Sequence, residues 1–186
     1  MSFNFLYPSH LSNAPLYTFK YRECIPLDEN ALWQIDRGIV RTSTWDQNGT
    51  SIILGFWGAE DIVGQPLSRI EPYRLECMTE VTAYTLPEDS AIANQALLSH
   101  VQQAEEFLRM MHCRSIEKRL LQFLIWLADK FGQDTTCGQW VELRLTHQEM
   151  ADTIGTTRVT VTRLLGKFEQ EGIVRWSKQR RLLLNQ

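Results

Sequence analysis

Two helix-start signals on either side of a glycine, followed by an apolar hairpin pattern, constrain residues 145–184 more than any other feature constrains this chain. Thr146 and Glu149 have the spacing of a capping box, in which each side chain caps the backbone N–H of the other. A first helix is therefore expected over His147–Ile154. Gly155 follows where a tight turn between two crossing helices needs a residue free of Cβ constraint.

A second helix and a β-hairpin are predicted after this glycine. Thr156 or Thr157 caps the helix, which extends to about Glu171. Apolar runs at Ile173–Trp176 and Arg181–Leu184 flank a polar, basic tip and predict a small hairpin. The inward face of the second helix carries apolar residues at helical spacing: Val161, Leu164, Leu165 and Phe168. The whole segment is predicted to be a winged helix-turn-helix.

The outward face of the second helix carries side chains that recognise DNA. Arg158 lies in the first turn, where the helix dipole favours acidic residues, so an external anion or a guanine edge is its expected partner. In the major groove arginine binds guanine O6 and N7, and an aliphatic side chain such as Val159 contacts a thymine methyl. The helix Thr157–Phe168 is therefore predicted to contact bases through Arg158, Val159 and Arg163. Phosphate contacts are predicted for seven polar side chains nearby: Thr146, His147, Gln148, Thr157, Thr160, Thr162 and Lys178.

Charge is divided unevenly along the chain. Residues 1–139 carry 11 basic and 17 acidic side chains, whereas residues 140–186 carry 8 and 5. A basic C-terminal segment on an acidic protein favours contact with a polyanion such as double-stranded DNA.

Residues from about 17 to 86 show the pattern of β-structure. Short runs rich in Val, Ile, Thr and aromatic residues are separated by turn signals, of which Asn48-Gly49 is a typical hairpin turn. Strands at this spacing favour a sandwich or jelly roll over a parallel sheet. The predicted strands are Ala31–Asp36, Gly38–Trp45, Thr50–Phe56 and Cys77–Leu86.

Helical patterns follow from Pro87 to Phe131, with a break expected at His112–Ser115. Ser115 is expected to cap the second of these helices, and Gly132 to end it. A loop to Gly138 and a strand over Trp140–Leu145 are then predicted.

The first of these helices carries an apolar stripe with heptad spacing. One explanation is a helix packed on its own sheet. Because Gln102-Gln103 and Glu105-Glu106 keep the flanks of the stripe polar, we favour the alternative, a homodimer seam. The seam residues are Leu97, Val101, Ala104, Leu108 and Met111.

The stretch THQEMADTIGTTRVTVTRLLG, residues 146–166, resembles the catabolite-activator and fumarate–nitrate-reduction (CRP/FNR) superfamily, and within it the cyanobacterial global nitrogen regulators. The resemblance covers nearly the whole chain and implies an α+β fold. Residues 1–90 would form a β jelly-roll sensor like a cyclic-nucleotide-binding domain, residues 91–114 a dimerisation helix and hinge, and residues 115–186 the winged helix-turn-helix.

The resemblance also implies a function. A homodimeric transcription regulator, not an enzyme, would bind a palindromic site with its two recognition helices in successive major grooves. Many relatives have glutamate where this chain has Val159, and the similarity to nitrogen regulators favours GTA-type half-sites. RNA polymerase is the protein partner that the resemblance implies.

The sensor departs from the cyclic-nucleotide-binding pattern. Members that bind cyclic AMP carry Gly-Glu-Leu and later Arg-Ser, whereas this chain has Val63-Gly64-Gln65-Pro66-Leu67-Ser68 without a following Arg-Ser. Cyclic AMP is therefore not the expected effector, because the partners of its ribose and phosphate are missing. The segment faintly resembles the one with which the nitrogen regulator holds 2-oxoglutarate. The candidate effector contacts are Val63, Gly64, Gln65, Pro66, Leu67 and Arg74, with Arg69 and Arg109 as further basic residues; ordinary surface arginines are the alternative.

Neither a metal nor another cofactor is predicted, because the four cysteines are scattered and lack ligand spacing. The adjacent pair His112-Cys113 could ligate a metal or haem, so a metal- or haem-dependent redox sensor or enzyme is a rival hypothesis, and an adaptor without DNA binding is a third. No apolar run is long enough to span a membrane, and the first residues lack a signal-peptide pattern, so a cytoplasmic protein is expected.

Overall fold

Two antiparallel sheets enclose the first apolar core in a computed structural model of the chain. The structure describes residues 15–29, 31–86, 90–135, 138–141, 143–176 and 182–184. One sheet has the strand order β1-β7-β2-β5 and the other β4-β3-β6, and side chains from both meet in one buried cluster. The strands are β1 (Leu16–Phe19), β2 (Leu32–Arg37), β3 (Val40–Trp45), β4 (Ser51–Trp57), β5 (Ile62–Val63), β6 (Arg74–Cys77) and β7 (Val81–Leu86).

The Asn48-Gly49 hairpin is confirmed. Strands β3 and β4 are antiparallel: Trp45 lies opposite Ser51 next to the turn, and Val40 lies opposite Trp57 at the other end. The Asp46 carboxylate accepts hydrogen bonds from the backbone N–H groups of Asn48 and Thr50, at 2.9 and 2.8 Å. Gly49 adopts φ 80°, a conformation that glycine enters at little cost.

The single strand predicted over Cys77–Leu86 is wrong. The chain turns at residues 78–80, so β6 ends at Cys77 in one sheet and β7 begins at Val81 in the other. The turn is anchored by tertiary contacts, because the Thr79 hydroxyl accepts a hydrogen bond from the Ile39 N–H at 2.9 Å. A continuous apolar and β-branched pattern contains no signal for such a change of sheet.

Two helices follow, α1 (Ser90–Met111) and α2 (Ile116–Phe131), with the predicted break between them. Ser115 caps α2 by accepting the Lys118 N–H, as expected. Gly132 ends α2 in an extended rather than a left-handed conformation. A Cβ at this position would lie 2.2 Å from the Ala128 carbonyl oxygen, so the close approach requires glycine.

The expected loop after Gly132 is instead a strand. Residues Gly132–Thr135 (β8) pair with Gly138–Val141 (β9), and the C-terminal hairpin joins them in a sheet of order β10-β11-β9-β8. Because Leu143 and Leu145 enter the core, the chain leaves the sheet at Val141 and the strand predicted to Leu145 is shorter than expected. The other elements are α3 (His147–Ile154), α4 (Arg158–Gln170), β10 (Val174–Trp176) and β11 (Leu182–Leu184).

A second and larger core joins the β-sandwich to the C-terminal half. Ile53 and Phe56 of β4 belong to the same buried cluster as residues of α1, α2, α3 and α4. The Phe56 ring lies 6.1 Å from Phe123 of α2 and 6.5 Å from Phe107 of α1. This shared core positions the helix-turn-helix against the sandwich. Within the described ranges, no helix is long and apolar enough to cross a lipid bilayer.

Candidate nucleic-acid interface

The first helix of the helix-turn-helix begins with the predicted capping box. The Thr146 hydroxyl accepts the Glu149 N–H at 3.1 Å, and Glu149 Oε2 accepts the Thr146 N–H at 2.8 Å. The helix ends at Gly155, whose φ of 66° is left-handed as expected. The interhelical turn is further held by Arg119 of α2, which donates to the Ile154 carbonyl at 2.7 Å and to the Cys113 carbonyl at 2.8 Å.

The second helix, α4, presents an exposed face with the predicted base-reading residues. Thr157, not Thr156, is its N-cap and accepts the Thr160 N–H at 3.2 Å. Arg158 and Arg163 are exposed, and the Val159 side chain is 78% exposed. Val161, Leu164, Leu165 and Phe168 are buried on the opposite face as predicted. Val159 therefore takes no part in the buried face of α4.

Two of the predicted phosphate-binding side chains bond to each other and link the two helices. His147 Nδ1 lies 2.8 Å from the Thr162 hydroxyl oxygen, and that hydroxyl donates to the Arg158 carbonyl at 2.9 Å. Gln148 uses its amide nitrogen locally, donating to Asp152 at 2.7 Å. These bonds fix the start of α3 beside the first turn of α4.

An open groove on this side of the molecule brings several of the predicted residues together. Thr146, His147, Gln148, Arg158 and Thr162 all line it. Thr157, which caps α4, and Thr160 and Arg163, which lie on α4, do not line the groove, and Lys178 lies outside the described residues.

The same groove is lined by Arg144 and Tyr21, which sequence reasoning did not single out. Arg144 was detectable, because it is a basic residue two positions before the helix cap. Tyr21 belongs to the turn after β1, and no local pattern connects that turn with residues more than 100 positions later in the chain.

The predicted dimer seam is exposed along most of α1. Val101 and Leu108 are 55% and 58% exposed, and Leu97 and Ala104 are also exposed. Met111 is half-buried against the large core. The helix buries a different face on its own molecule, formed by Ala96, Gln103, Phe107 and Met110. The stripe is thus one residue out of phase with the buried face, which leaves it free of the chain's own sandwich.

Most of the candidate effector segment lies where the sandwich meets α1. Leu67 packs against a buried cluster that includes Ala96 of α1, whereas Val63 is fully buried among strands. A Cβ at Gly64 would lie 2.5 Å from the Ala31 carbonyl oxygen, so this glycine serves backbone packing. The structure does not bring Arg74 to the segment, because it lies in the other sheet with its guanidinium over the Trp45 ring.

A histidine–tryptophan pair fills the space between the sandwich and α1 nearby. The rings of Trp57 and His100 stack with centroids 3.8 Å apart, and His100 Nε2 bonds the Ile62 carbonyl at 2.8 Å. Burial lowers the pKa of His100, which the bond to Ile62 offsets only in part. His100 is therefore neutral at pH 7 and donates to this carbonyl.

The His112-Cys113 pair has local backbone partners. His112 Nδ1 bonds the Leu108 carbonyl at 2.8 Å, and the Cys113 thiol donates to the Ser115 carbonyl at 3.7 Å. Across the residues that the structure describes, no three His, Cys, Asp or Glu side chains come together as a metal-binding group.

Comparison with known proteins agrees with this arrangement. The model of the Crp-like helix-turn-helix domain matches residues 118–186. Regulatory protein CysR of Synechococcus elongatus is 40% identical over 154 residues, which cover 81% of this chain and 75% of that protein. The global nitrogen regulator of the same organism is 36% identical over 99 residues, 53% of this chain and 45% of that protein.

Solved structures show the same fold. A CRP-family transcriptional regulator from Thermus thermophilus superposes with a TM-score of 0.77 at 22% identity, covering 91% of this chain and 92% of that one. FixK2 from Bradyrhizobium japonicum also gives 0.77, at 18% identity over 93% of each chain. The α+β fold with a cyclic-nucleotide-binding-like sandwich and a C-terminal helix-turn-helix is thereby confirmed. By its sequence similarity and its helix-turn-helix, this chain belongs to the CRP/FNR family of DNA-binding transcription regulators, which are not enzymes.

Proposed function

We propose that the protein is a homodimeric regulator that reads a palindromic DNA site by placing one α4 helix in each of two successive major grooves. The observation that carries the proposal is the two-sided character of α4. One face is buried in the core, while Arg158, Val159 and Arg163 project into solvent. An exposed helix with two arginines fits the width and the hydrogen-bonding pattern of the major groove.

In this proposal Arg158 and Arg163 donate to base edges and Val159 contacts a thymine methyl. GTA-type half-sites contain a guanine and a thymine that suit these side chains, and the similarity to the global nitrogen regulators supports them. The residues Thr146, His147, Gln148, Thr157, Thr160 and Thr162 position the helix on the phosphates, together with Lys178.

The homodimer is supported by the exposed apolar stripe of α1. Four of its residues, Leu97, Val101, Ala104 and Leu108, lie in solvent on a helix that is about six turns long. Pairing with the same stripe of a second copy removes this apolar surface from water and makes a twofold axis. Such an axis is what a palindromic site requires. Met111, which is half-buried against the large core, is the last residue of the proposed seam.

We further propose that residues 1–90 form a sensor, residues 91–114 the dimerisation helix and hinge, and residues 115–186 the DNA-binding domain. A small effector, not cyclic AMP, binds beside Val63–Leu67; Arg74 is not part of this site, because it lies in the other sheet with its guanidinium over Trp45. Support comes from Leu67, which packs against a buried cluster that includes Ala96 of α1, the helix that carries the proposed seam. RNA polymerase is the proposed protein partner.

The proposal is tested by selecting bound duplexes from random DNA and titrating the selected site with salt. We expect inverted half-sites separated by about one helical turn, 10–10.5 bp from centre to centre. Affinity should fall steeply with salt, in proportion to the number of phosphates contacted. Enrichment of a single unpaired half-site, or of no site, would refute the palindromic model. Repeating the salt titration with a panel of small acids tests the effector.

A further inference from the structure

A cluster of four charged side chains joins the sandwich to the first helix of the helix-turn-helix. Arg41 of β3 donates to Glu149 of α3 at 2.9 Å and to Glu76 of β6. Arg22, in the turn after β1, lies 2.7 Å from Glu149 and 3.1 Å from Glu76. The side chains of Arg41, Glu76 and Glu149 are only 9 to 11% exposed.

The Glu149 carboxylate is divided between two tasks. Its Oε2 accepts from the Thr146 backbone and hydroxyl and so caps α3, while its Oε1 accepts from Arg41 and Arg22. The carboxylate that caps the N-terminus of α3 is therefore the same one that binds the arginines of the sandwich. Any rotation of α3 away from the sandwich would strip Oε1 of both guanidinium partners.

Both arginines lie on backbone segments that are held by the sandwich itself. Arg41 is buried in the central strand of its sheet, between β4 and β6. Arg22 has a left-handed φ of 70°, and its N–H donates to the Cys77 carbonyl at 2.8 Å. Burial lowers the pKa of Arg22, but the hydrogen bonds to Glu76 and Glu149 outweigh burial and raise the pKa, so the Arg22 guanidinium stays charged at neutral pH.

A buried charged cluster stabilises an interface less effectively than apolar packing of similar volume. Burying charges costs desolvation that apolar packing avoids, and Arg41 Nε is buried without a hydrogen-bond partner in the described structure. What directional bonds add is a defined orientation. Here they are placed at α3, whose first residues line the same groove as Arg158 of α4.

We infer that Arg41, supported by Arg22, is a positioning residue for DNA reading: through the Glu149 carboxylate it sets the orientation of the helix-turn-helix relative to the sandwich. The inference rests on the proposed function. The network leaves Arg158, Val159 and Arg163 exposed, so the orientation that it holds is one in which α4 can bind. With α1 pairing two copies, this orientation also fixes the relation between the two α4 helices.

The test compares Arg41→Met, Arg41→Lys and Glu149→Gln with the parent protein. Glu149→Gln retains an oxygen for the cap but turns an amide toward the arginines. Arg37→Met, at an exposed arginine of β2, is the matched control. Each protein is titrated with the selected duplex and with a scrambled duplex at one salt concentration, and backbone hydrogen exchange is followed without DNA.

We expect Arg41→Met and Glu149→Gln to lose preference for the selected duplex by about tenfold, equivalent to about 1.4 kcal/mol. Affinity for the scrambled duplex should change by about twofold or less, because phosphate contacts tolerate misorientation. Arg41→Lys should keep part of the preference for the selected duplex, and the control Arg37→Met should keep all of it. Exchange should quicken in residues 20–24 and 143–150 only.

Two results would overturn the inference. One is an unchanged duplex preference in Arg41→Met. The other is faster exchange throughout β2 and β7 with equal losses on both duplexes, which would make Arg41 a stability residue of the sandwich. If the parent protein itself shows no duplex preference, the proposed function fails, and the exchange pattern alone then decides whether Arg41 holds α3.

Discussion

Arg158 and Arg163 are five positions apart on α4, so their Cα–Cβ directions differ by about 140° around the helix. Both are exposed, yet only Arg158 lines the groove with His147 and Thr162. We therefore expect the two guanidinium groups to reach different base pairs in the proposed complex. Thr162 adds order to this face, because it ties the Arg158 backbone to His147.

Replacing Arg158 with alanine should weaken binding to the selected duplex by about 1–3 kcal/mol and relax the preference at one base pair. The scrambled duplex should be affected far less. Fluorescence titration with single-base variants of the duplex measures both effects. Arg37→Ala, at an exposed arginine of β2, is the control and should bind like the parent. Undiminished discrimination by Arg158→Ala would remove this residue from base recognition.

The buried carboxylates predict a loss of stability in acid. Burial raises the pKa of Glu149 and of Glu76, but hydrogen bonds from Thr146 and from Arg41, together with Arg22, outweigh it and leave both below the usual 4.5. A carboxylate with a lowered folded-state pKa contributes stability above its unfolded pKa and loses it as pH falls through the folded value. The free energy of unfolding should therefore decrease as the pH is lowered below about 4.5.

Chemical denaturation between pH 7 and pH 3 measures this dependence. The slope should be shallower in Glu149→Gln, which has no carboxylate to protonate at that position. An identical acid dependence in the parent and in Glu149→Gln would contradict the assignment of this carboxylate to the charged cluster.

Among the elements, the interhelical turn and α4 contain two glycines in opposite situations. Gly155 has a left-handed φ of 66° with only the Arg119 guanidinium 3.6 Å from a would-be Cβ, so its constraint is in the backbone. Gly166 lies inside α4, and apart from its neighbours in the helix no atom of the described residues comes within 4 Å of a would-be Cβ there. Glycine is therefore needed at the turn and is dispensable inside the helix.

Alanine at these two positions should change stability in opposite directions. Gly155→Ala should lower the unfolding free energy by about 1–2 kcal/mol, the cost of a left-handed alanine. Gly166→Ala should raise it by up to about 1 kcal/mol through helix propensity. Parallel denaturant titrations compare them, and a shared direction of change would refute this account of the turn.

Elements governed by local chemistry were predictable from the sequence, and elements governed by distant partners were not. Thr146–Glu149, Gly155, Ser115 and Asn48-Gly49 each act within a few residues, and each was placed correctly. Strand β8 exists only because β9 pairs with it, and Cys77–Leu86 divides because its two halves join different sheets. The Arg41–Glu149 contact spans 108 positions, a distance over which no motif acts.

At the scale of the whole molecule, α1 has one face in the chain's own core and another in solvent. Phe107 and Met110 pack on the chain's own core, while Val101 and Leu108 lie in solvent. Val101→Glu and Leu108→Glu should therefore convert a dimer into a 21.7 kDa monomer without unfolding it. Light scattering measures the mass. Ile52→Glu, at an exposed site on β4, should remain dimeric; a parent protein that is monomeric would refute the seam.

Base recognition by Arg158 and Arg163 of α4 is tested most directly by repeating the DNA selection with Arg158→Ala and with Arg163→Ala. Each variant is predicted to lose preference at its own base pair, once in each half-site and related by the twofold axis, while the rest of the selected sequence is retained. Selected sequence profiles indistinguishable from that of the parent protein would contradict base recognition by these two arginines.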